Sequence, residues 1–171
     1  MRKVILNLAL SLDGFIEGPK GEYDWCFTDQ DYGMSAFLKS VDAVFFGRKS
    51  FDLVSPMGPN AYPGLKRYVF SRTLTEAEGA FIISSDVKGT VEKLKREKGK
   101  NIWLFGGAEL TNTLLGLGLV DELLLSVHPV ILGGGKSLFG SLGERIHLKL
   151  KNARTYPTGL VQLFYTLDKT R

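Results

Sequence analysis

Cysteine occurs once, at Cys26, and histidine only twice, at His128 and His147. A single thiol cannot close an intrachain disulfide, and so few Cys and His residues build neither a zinc cluster nor a His-carboxylate-His helix motif, so no metal is expected. Cys26 as a nucleophile would need a paired His, and neither His has a local signature for that role. Long hydrophobic runs are also missing. No apolar stretch approaches the roughly 18 residues that cross a bilayer. The N-terminal apolar run is broken by Asn7, Ser11 and Asp13, and no small-residue cleavage site follows, so the chain reads as cytoplasmic, with no membrane partner. The net charge of +4 comes from scattered residues rather than a basic block, which suits a small anionic ligand and gives no expectation of nucleic acid.

What is present is an ordinary globular balance, 44% hydrophobic and 23% charged, in 171 residues. That length predicts one domain over 1–171 with a sizeable core. Short apolar runs alternate with helix-like patterns and then give way to a β-rich end, which predicts an α/β fold whose sheet is finished by antiparallel strands. Strands are expected at Lys3 to Leu10, Asp42 to Phe46, Arg67 to Ser71, Ala80 to Ser84 and Asn101 to Phe105. Three longer β-rich runs follow, at Glu122 to Leu132, Ile146 to Thr155 and Leu160 to Leu167, the last two joined by a hairpin through Pro157-Thr158-Gly159. Helices are expected at Asp31 to Ser40, Arg48 to Val54, Val91 to Lys98 and Glu109 to Leu117. Glu92 and Arg96 are spaced for an i, i+4 pair, Gly99 closes the third helix, and Pro56, Pro59 and Pro63 mark a turn after the second.

Three strand ends carry the chemistry. At Phe46-Gly47-Arg48-Lys49-Ser50 a buried strand ends on glycine and opens a helix bearing two cations and a hydroxyl, groups that hold phosphate oxygens. A plain strand-to-helix turn with solvated charges is the competing reading. At Phe70-Ser71-Arg72-Thr73 another strand runs out into a hydroxyl and a cation. Were its end to lie beside the first, Ser71 and Arg72 would join Arg48 around one anion. At Phe105-Gly106-Gly107-Ala108-Glu109-Leu110 paired glycines lead straight into a helix, which can cradle a pyrophosphate or can simply be a tight turn with Glu109 at the helix N-terminus. Ala108 and Leu110 break the Rossmann fingerprint, and Val130 stands where a P-loop before Gly133-Gly134-Gly135-Lys136-Ser137 would need its first glycine.

In their order along the chain, SLDGFIEG (11–18), FGRKSFD (46–52), FSRT (70–73), FGGAEL (105–110) and the segment from Leu117 through Phe139 resemble the dihydrofolate-reductase-like reductases. The resemblance covers nearly the whole chain. It is strongest to small stand-alone proteins similar to the C-terminal reductase domain of the bifunctional riboflavin-biosynthesis deaminase/reductase. It implies a three-layer α/β/α fold, NADPH as hydride donor, a small pterin- or pyrimidine-like substrate, and a homodimer. It also places the nicotinamide near Ala9, Leu10 and Ile16, the adenosine phosphate near Arg48, Ser71 and Arg72, and the pyrophosphate near Gly106, Gly107 and Ala108, with the Gly106-Gly107 peptide cis.

For the substrate half the resemblance singles out Asp31, which precedes Gly47 by the spacing that separates acid from glycine in dihydrofolate reductases. Asp29 is the second candidate. Thr28 and Asp31 equally fit a helix capping box, so a capping role competes with a catalytic one. Asp13 either orders a loop over the nicotinamide or makes an Asx turn with Gly14, while Trp25 and Tyr32 either stack on a planar ring or belong to the core. No H-x-E with a later C-x-x-C is present, so the deaminase chemistry of the bifunctional enzyme is not expected. A non-catalytic dimeric nucleotide-binding module is the alternative to a reductase.

Overall fold

The computed structural model describes residues 1–58 and 61–168. Its centre is an eight-stranded sheet. In chain order the strands are β1 (Val4–Ser11), β3 (Val41–Gly47), β4 (Lys66–Phe70), β5 (Ala80–Ile83), β6 (Asn101–Gly106), β7 (Glu122–His128), β9 (Leu148–Thr155) and β10 (Val161–Leu167). A separate two-stranded pair joins β2 (Phe15–Glu17) to β8 (Lys136–Ser137). Across the main sheet the order is β5-β4-β3-β6-β1-β7-β10-β9, parallel from β5 to β7, with β10 antiparallel to both β7 and β9.

The apolar pattern explains the layering. Val44, Phe45 and Phe46 of β3 are wholly buried in succession, as a central parallel strand covered on both faces requires. One face carries Phe45, Leu6, Leu104 and Leu125 with Val91, Leu94, Leu110 and Leu114 of helices α3 (Val87–Arg96) and α4 (Ala108–Gly116). The other carries Ile5, Val44, Phe46 and Trp103 with Phe37 of α1 (Met34–Ser40) and Phe51 and Val54 of α2 (Arg48–Val54). A mixed α/β fold, mostly parallel with antiparallel strands at one edge, is therefore the architecture.

Several boundaries move for identifiable reasons. The first helix starts at Met34 rather than Asp31, because Tyr32 (φ 47°) and Gly33 (φ 79°) are left-handed and cannot belong to a right-handed turn. Thr28 is thus no N-cap. The third helix begins at Val87, where the Asp86 side chain accepts the Gly89 amide, a cap the apolar pattern did not reveal. The long run from Glu122 stops at His128, because Pro129 follows and cannot donate to the ladder. The Glu92–Arg96 pair forms at 3.5 Å. Pro56 lies in a 3-10 turn over Ser55–Met57, and Pro59 lies outside the described residues.

Candidate active site

The three strand ends meet at one edge of the sheet. The register pairs Gly47 with Phe70 and Phe46 with Gly106, so the glycine that opens α2, the start of Ser71-Arg72 and the paired glycines lie side by side. These are carboxyl ends of parallel strands on either side of a change in winding direction, the place where open α/β sheets bind ligands. The approach is close. A Cβ added to Gly47 would lie 3.4 Å from both the Gly106 carbonyl oxygen and the Gly107 nitrogen, and one added to Gly107 would meet Ser50 Oγ at 3.3 Å. Gly106 has φ 114°, a conformation that favours glycine, and the Gly106-Gly107 peptide is cis.

Around this edge the side chains differ in availability. Arg48 Nε donates to both carboxylate oxygens of Asp52 at 2.9 Å, on the exposed face of α2. Arg72 is exposed, and among the described residues no hydrogen bond or ion pair engages it. Ser71 Oγ accepts the amides of Thr73 and Leu74, at 3.2 and 3.0 Å, and so shapes the turn that presents Arg72. Lys49 is exposed, and Glu109, exposed at the start of α4, sits 3.8 Å from Lys136. Ala108 and Leu110 are buried, the latter packed in the core, where its Cβ lies 3.6 Å from the Cβ position of Gly47. Beneath Gly106 the Thr111 hydroxyl is fully buried and, among the described residues, has no hydrogen-bond partner. Closely approaching glycine backbone, amides opening a nine-residue helix and a free guanidinium are a donor set that fits a dinucleotide's phosphates.

A second feature lies on the α1 face. Asn7, Ala9, Leu124 and Ser126 point the same way, because the register pairs Asn7 with Leu124 and Ala9 with Ser126 and side chains alternate along each strand. Asn7, Leu124 and Ser126, with Asp31, Tyr32, Gly33, Met34, Phe37 and Gln162, line a small cleft of about 80 Å³. Gln162 organises its floor. Its Nε2 donates to the Tyr32 carbonyl (2.8 Å) and to Ser126 Oγ (3.1 Å), while its Oε1 accepts from the Tyr156 hydroxyl (2.9 Å).

The structure brings Asp31 and Tyr32 into that cleft but leaves Asp29, Asp13 and Trp25 out of its lining. Asp31 Oδ1 accepts both the hydroxyl (2.7 Å) and the amide (3.0 Å) of Ser35, and these bonds, the hydroxyl first, hold its carboxyl below the usual carboxylate range. Asp29 is held low mainly by the Tyr32 hydroxyl, which donates to it at 2.7 Å. Asp13 accepts from Ser11 Oγ (2.7 Å) and from the amides of Leu132 (3.1 Å) and Gly133 (2.8 Å). Desolvation opposes its charge, but those bonds outweigh it and keep the carboxyl ionised, so Asp13 pins the glycine-rich strap that leads into β8. Trp25 instead packs edge-on to His128, 5.3 Å between ring centres. Ile16 is half-buried in β2 against the core.

Residues 2–162 match the RibD C-terminal domain. The chain belongs to that family. The Bacillus subtilis (strain 168) protein YyaP, uncharacterized, is 48% identical over 96% of this chain and 94% of its own length. A putative riboflavin biosynthesis protein from Shewanella sp. PV-4 superposes with a TM-score of 0.86 at 26% identity, over 99% of this chain and 100% of that one. The fold is also that of dihydrofolate reductase from Enterococcus faecalis, solved in complex with NADP(H), with a TM-score of 0.72 at 14% identity over 98% of this chain and 97% of that one. Family membership thus points to reductase activity. Among the described residues no helix is long and apolar enough to cross a membrane, and no cluster of three or more His, Cys, Asp or Glu is placed to hold a metal.

Asn7, Ser126, Gln162 and Thr111 were not singled out by the sequence. Gln162 and Ser126 carry a faint signal, each a polar residue at a buried-face position of an apolar strand, but that alternation alone does not separate a cleft from a satisfied core.

Proposed function

We propose that this RibD C-terminal domain protein is a cytoplasmic NADPH-dependent reductase that delivers hydride to a C=N or C=O bond of a small pterin- or pyrimidine-like heterocycle. The observation that carries the proposal is the register that sets Gly47, Phe70 and Gly106 side by side. It gathers three separately modest motifs around one anion-binding edge.

NADPH supplies the hydride when bound. The chain's own residues bind, orient and exclude water. The Gly106 and Gly107 backbone and the first amides of α4 receive the pyrophosphate, with Ser50 beside them. Arg72, with Ser71 and then Arg48, takes the 2′-phosphate, Arg48 only in competition with Asp52. On the Asn7 and Ser126 face Ala9 would offer the apolar contact for the nicotinamide, whereas Leu10 is buried in the core on the opposite face and Ile16 packs against that core, so neither side chain would share that surface. Good alignment of donor and acceptor contributes several kcal/mol to lowering the barrier. Asp31, ionised, accepts hydrogen bonds from ring or exocyclic N–H groups of the heterocycle and orients it, and a proton reaches the reduced product from solvent at the cleft mouth. The chain acts as a homodimer, a reading supported by β9, whose eight residues are all exposed, Leu148 and Leu150 included, at the free edge of the sheet.

One observation favours a non-catalytic nucleotide-binding module. Asp31, the candidate acid, is exposed, and its Oδ1 accepts two bonds within its own loop and helix. Mixing the protein with NADPH and a panel of pyrimidines and pterins, and following loss of the reduced-nicotinamide absorbance, separates the two. Oxidation with at least one heterocycle supports the reductase; tight NADPH binding without oxidation by any of them supports the module.

A further inference from the structure

His128 ends β7 and is buried, 3% exposed. Its two ring nitrogens are committed. Nε2 lies 3.1 Å from the Phe27 nitrogen and accepts its amide hydrogen, so Nδ1, 3.0 Å from the Ser126 carbonyl, carries the proton and donates. Only the neutral ring in this tautomer satisfies both partners. The ring is also gripped from the sides, edge-on to Trp25 at 5.3 Å and to Phe27 at 5.0 Å.

The segment it grips is the one that forms the cleft wall. Residues 22–33 contain no helix or strand, and they run from Trp25 through Phe27 to Tyr32 and Gly33, the latter two in the cleft lining. Farther along, the segment is tied through Tyr32, whose carbonyl accepts from Gln162 and whose hydroxyl meets Thr158 Oγ1 at 3.1 Å. Between Glu22 and Cys26 its bonds are internal, Cys26 to Tyr23 and Trp25 to Glu22, or reach back to the preceding turn, where Glu22 accepts the amides of Gly18 and Lys20, and none of them reaches the main sheet. Phe27 to His128 is therefore the tie to β7, next to the Ser126 that the cleft shares.

We propose that His128 is a positioning residue for the substrate half of the cleft, holding the segment 22–33 against the sheet through the Phe27 amide and releasing it when the imidazole takes a second proton. This rests on the reading of the cleft as the substrate site. Protonation would set an Nε2–H against the Phe27 N–H, donor against donor. Burial pushes the imidazole pKa down, opposed by its backbone hydrogen bonds to Ser126 and Leu10. The titratable neighbours do not compete for the role. From the segment they are Cys26, whose thiol burial and Asp24 hold protonated to about 11, and Asp24 itself. From the end of β1, Ser11 pairs in register with His128 and donates to the already ionised Asp13.

Amide exchange of Phe27 as a function of pH tests this without any substrate, so a protein that turned over no heterocycle would still give an answer. After correction for intrinsic exchange, Phe27 protection should be constant at neutral pH and fall by up to about tenfold per pH unit once His128 begins to protonate. Trp25 fluorescence should change over the same range, read in a Trp103→Phe background. His128→Gln, which keeps an acceptor near the Nε2 position but cannot titrate, should hold the protection pH-independent. His128→Phe should lose it at every pH while NADPH affinity stays unchanged. Phe27 protection that ignores pH in the native protein, or that falls equally in His128→Gln, overturns the proposal. So does unaltered protection in His128→Phe.

Discussion

A Cβ on Gly47 would stand 3.4 Å from the carbonyl oxygen of Gly106, so β3 and β6 meet backbone to backbone at the edge where the cofactor phosphates are proposed to lie. Gly106 itself, at φ 114°, sits where an L side chain is strained. Gly106→Ala is expected to destabilise the fold by about 1–2 kcal/mol and to weaken NADPH. Gly47→Ala, which meets only tight van der Waals contacts, should cost less stability but also weaken binding. Denaturation midpoints and NADPH titrations of both variants check this ordering.

Thr111 presents the opposite situation, a buried hydroxyl that no group among the described residues satisfies. Leaving such a group buried costs about 1–3 kcal/mol. Thr111→Val keeps the shape and removes the polar atom, so the free protein should melt at a higher temperature. If the hydroxyl finds a partner when the dinucleotide binds, the additional rise produced by NADPH should shrink in the variant. Thermal melts with and without NADPH read both quantities.

Arg72 and Arg48 flank the same edge but are not equivalent, because Asp52 already holds Arg48. Arg72→Ala should reduce NADPH affinity by about 1.5–3 kcal/mol, the worth of a charged hydrogen bond, and leave NADH nearly unchanged. Asp52→Asn frees Arg48 and should tighten NADPH modestly. Equal losses for NADPH and NADH in Arg72→Ala would remove the 2′-phosphate from this site.

The edge proposed to take the cofactor was far more legible in the sequence than the cleft. Each of the three motifs is a local strand-to-turn pattern, readable from glycines and adjacent apolar runs, and what the sequence left open, their adjacency, is a matter of strand order. The cleft depends on non-local contacts. Asp31 seemed to sit in a helix because its neighbours form an acidic cap-like string, whereas left-handed Tyr32 and Gly33 keep it in the loop and Ser35 takes its Oδ1. Gln162 joins Tyr32 and Ser126, far from it in the chain, to Tyr156 across its own hairpin, and no periodicity encodes that.

Stability should depend on pH in two separate windows. The folded pKa of His128 lies below its ordinary 6.5, chiefly through desolvation, so the unfolded chain takes up the proton first and stability is lost as pH falls through 6.5 toward the folded value. Asp13, Asp29 and Asp31 are also depressed, from an ordinary 3.8, and their contribution is present above that value and lost as pH falls below it toward their folded pKa values. Urea unfolding between pH 8 and pH 2 should show both declines, with onsets near the ordinary values 6.5 and 3.8, about three pH units apart. His128→Gln should erase only the upper one.

The central claim is turnover, and oxidation of NADPH in the presence of pyrimidine and pterin heterocycles tests it most directly, with Asp31→Asn as the control. The expected result is oxidation by at least one heterocycle, lowered about a hundredfold or more in Asp31→Asn if the carboxylate orients the ring in the transition state, with NADPH affinity unchanged. Binding of NADPH with no oxidation across the panel would contradict the account.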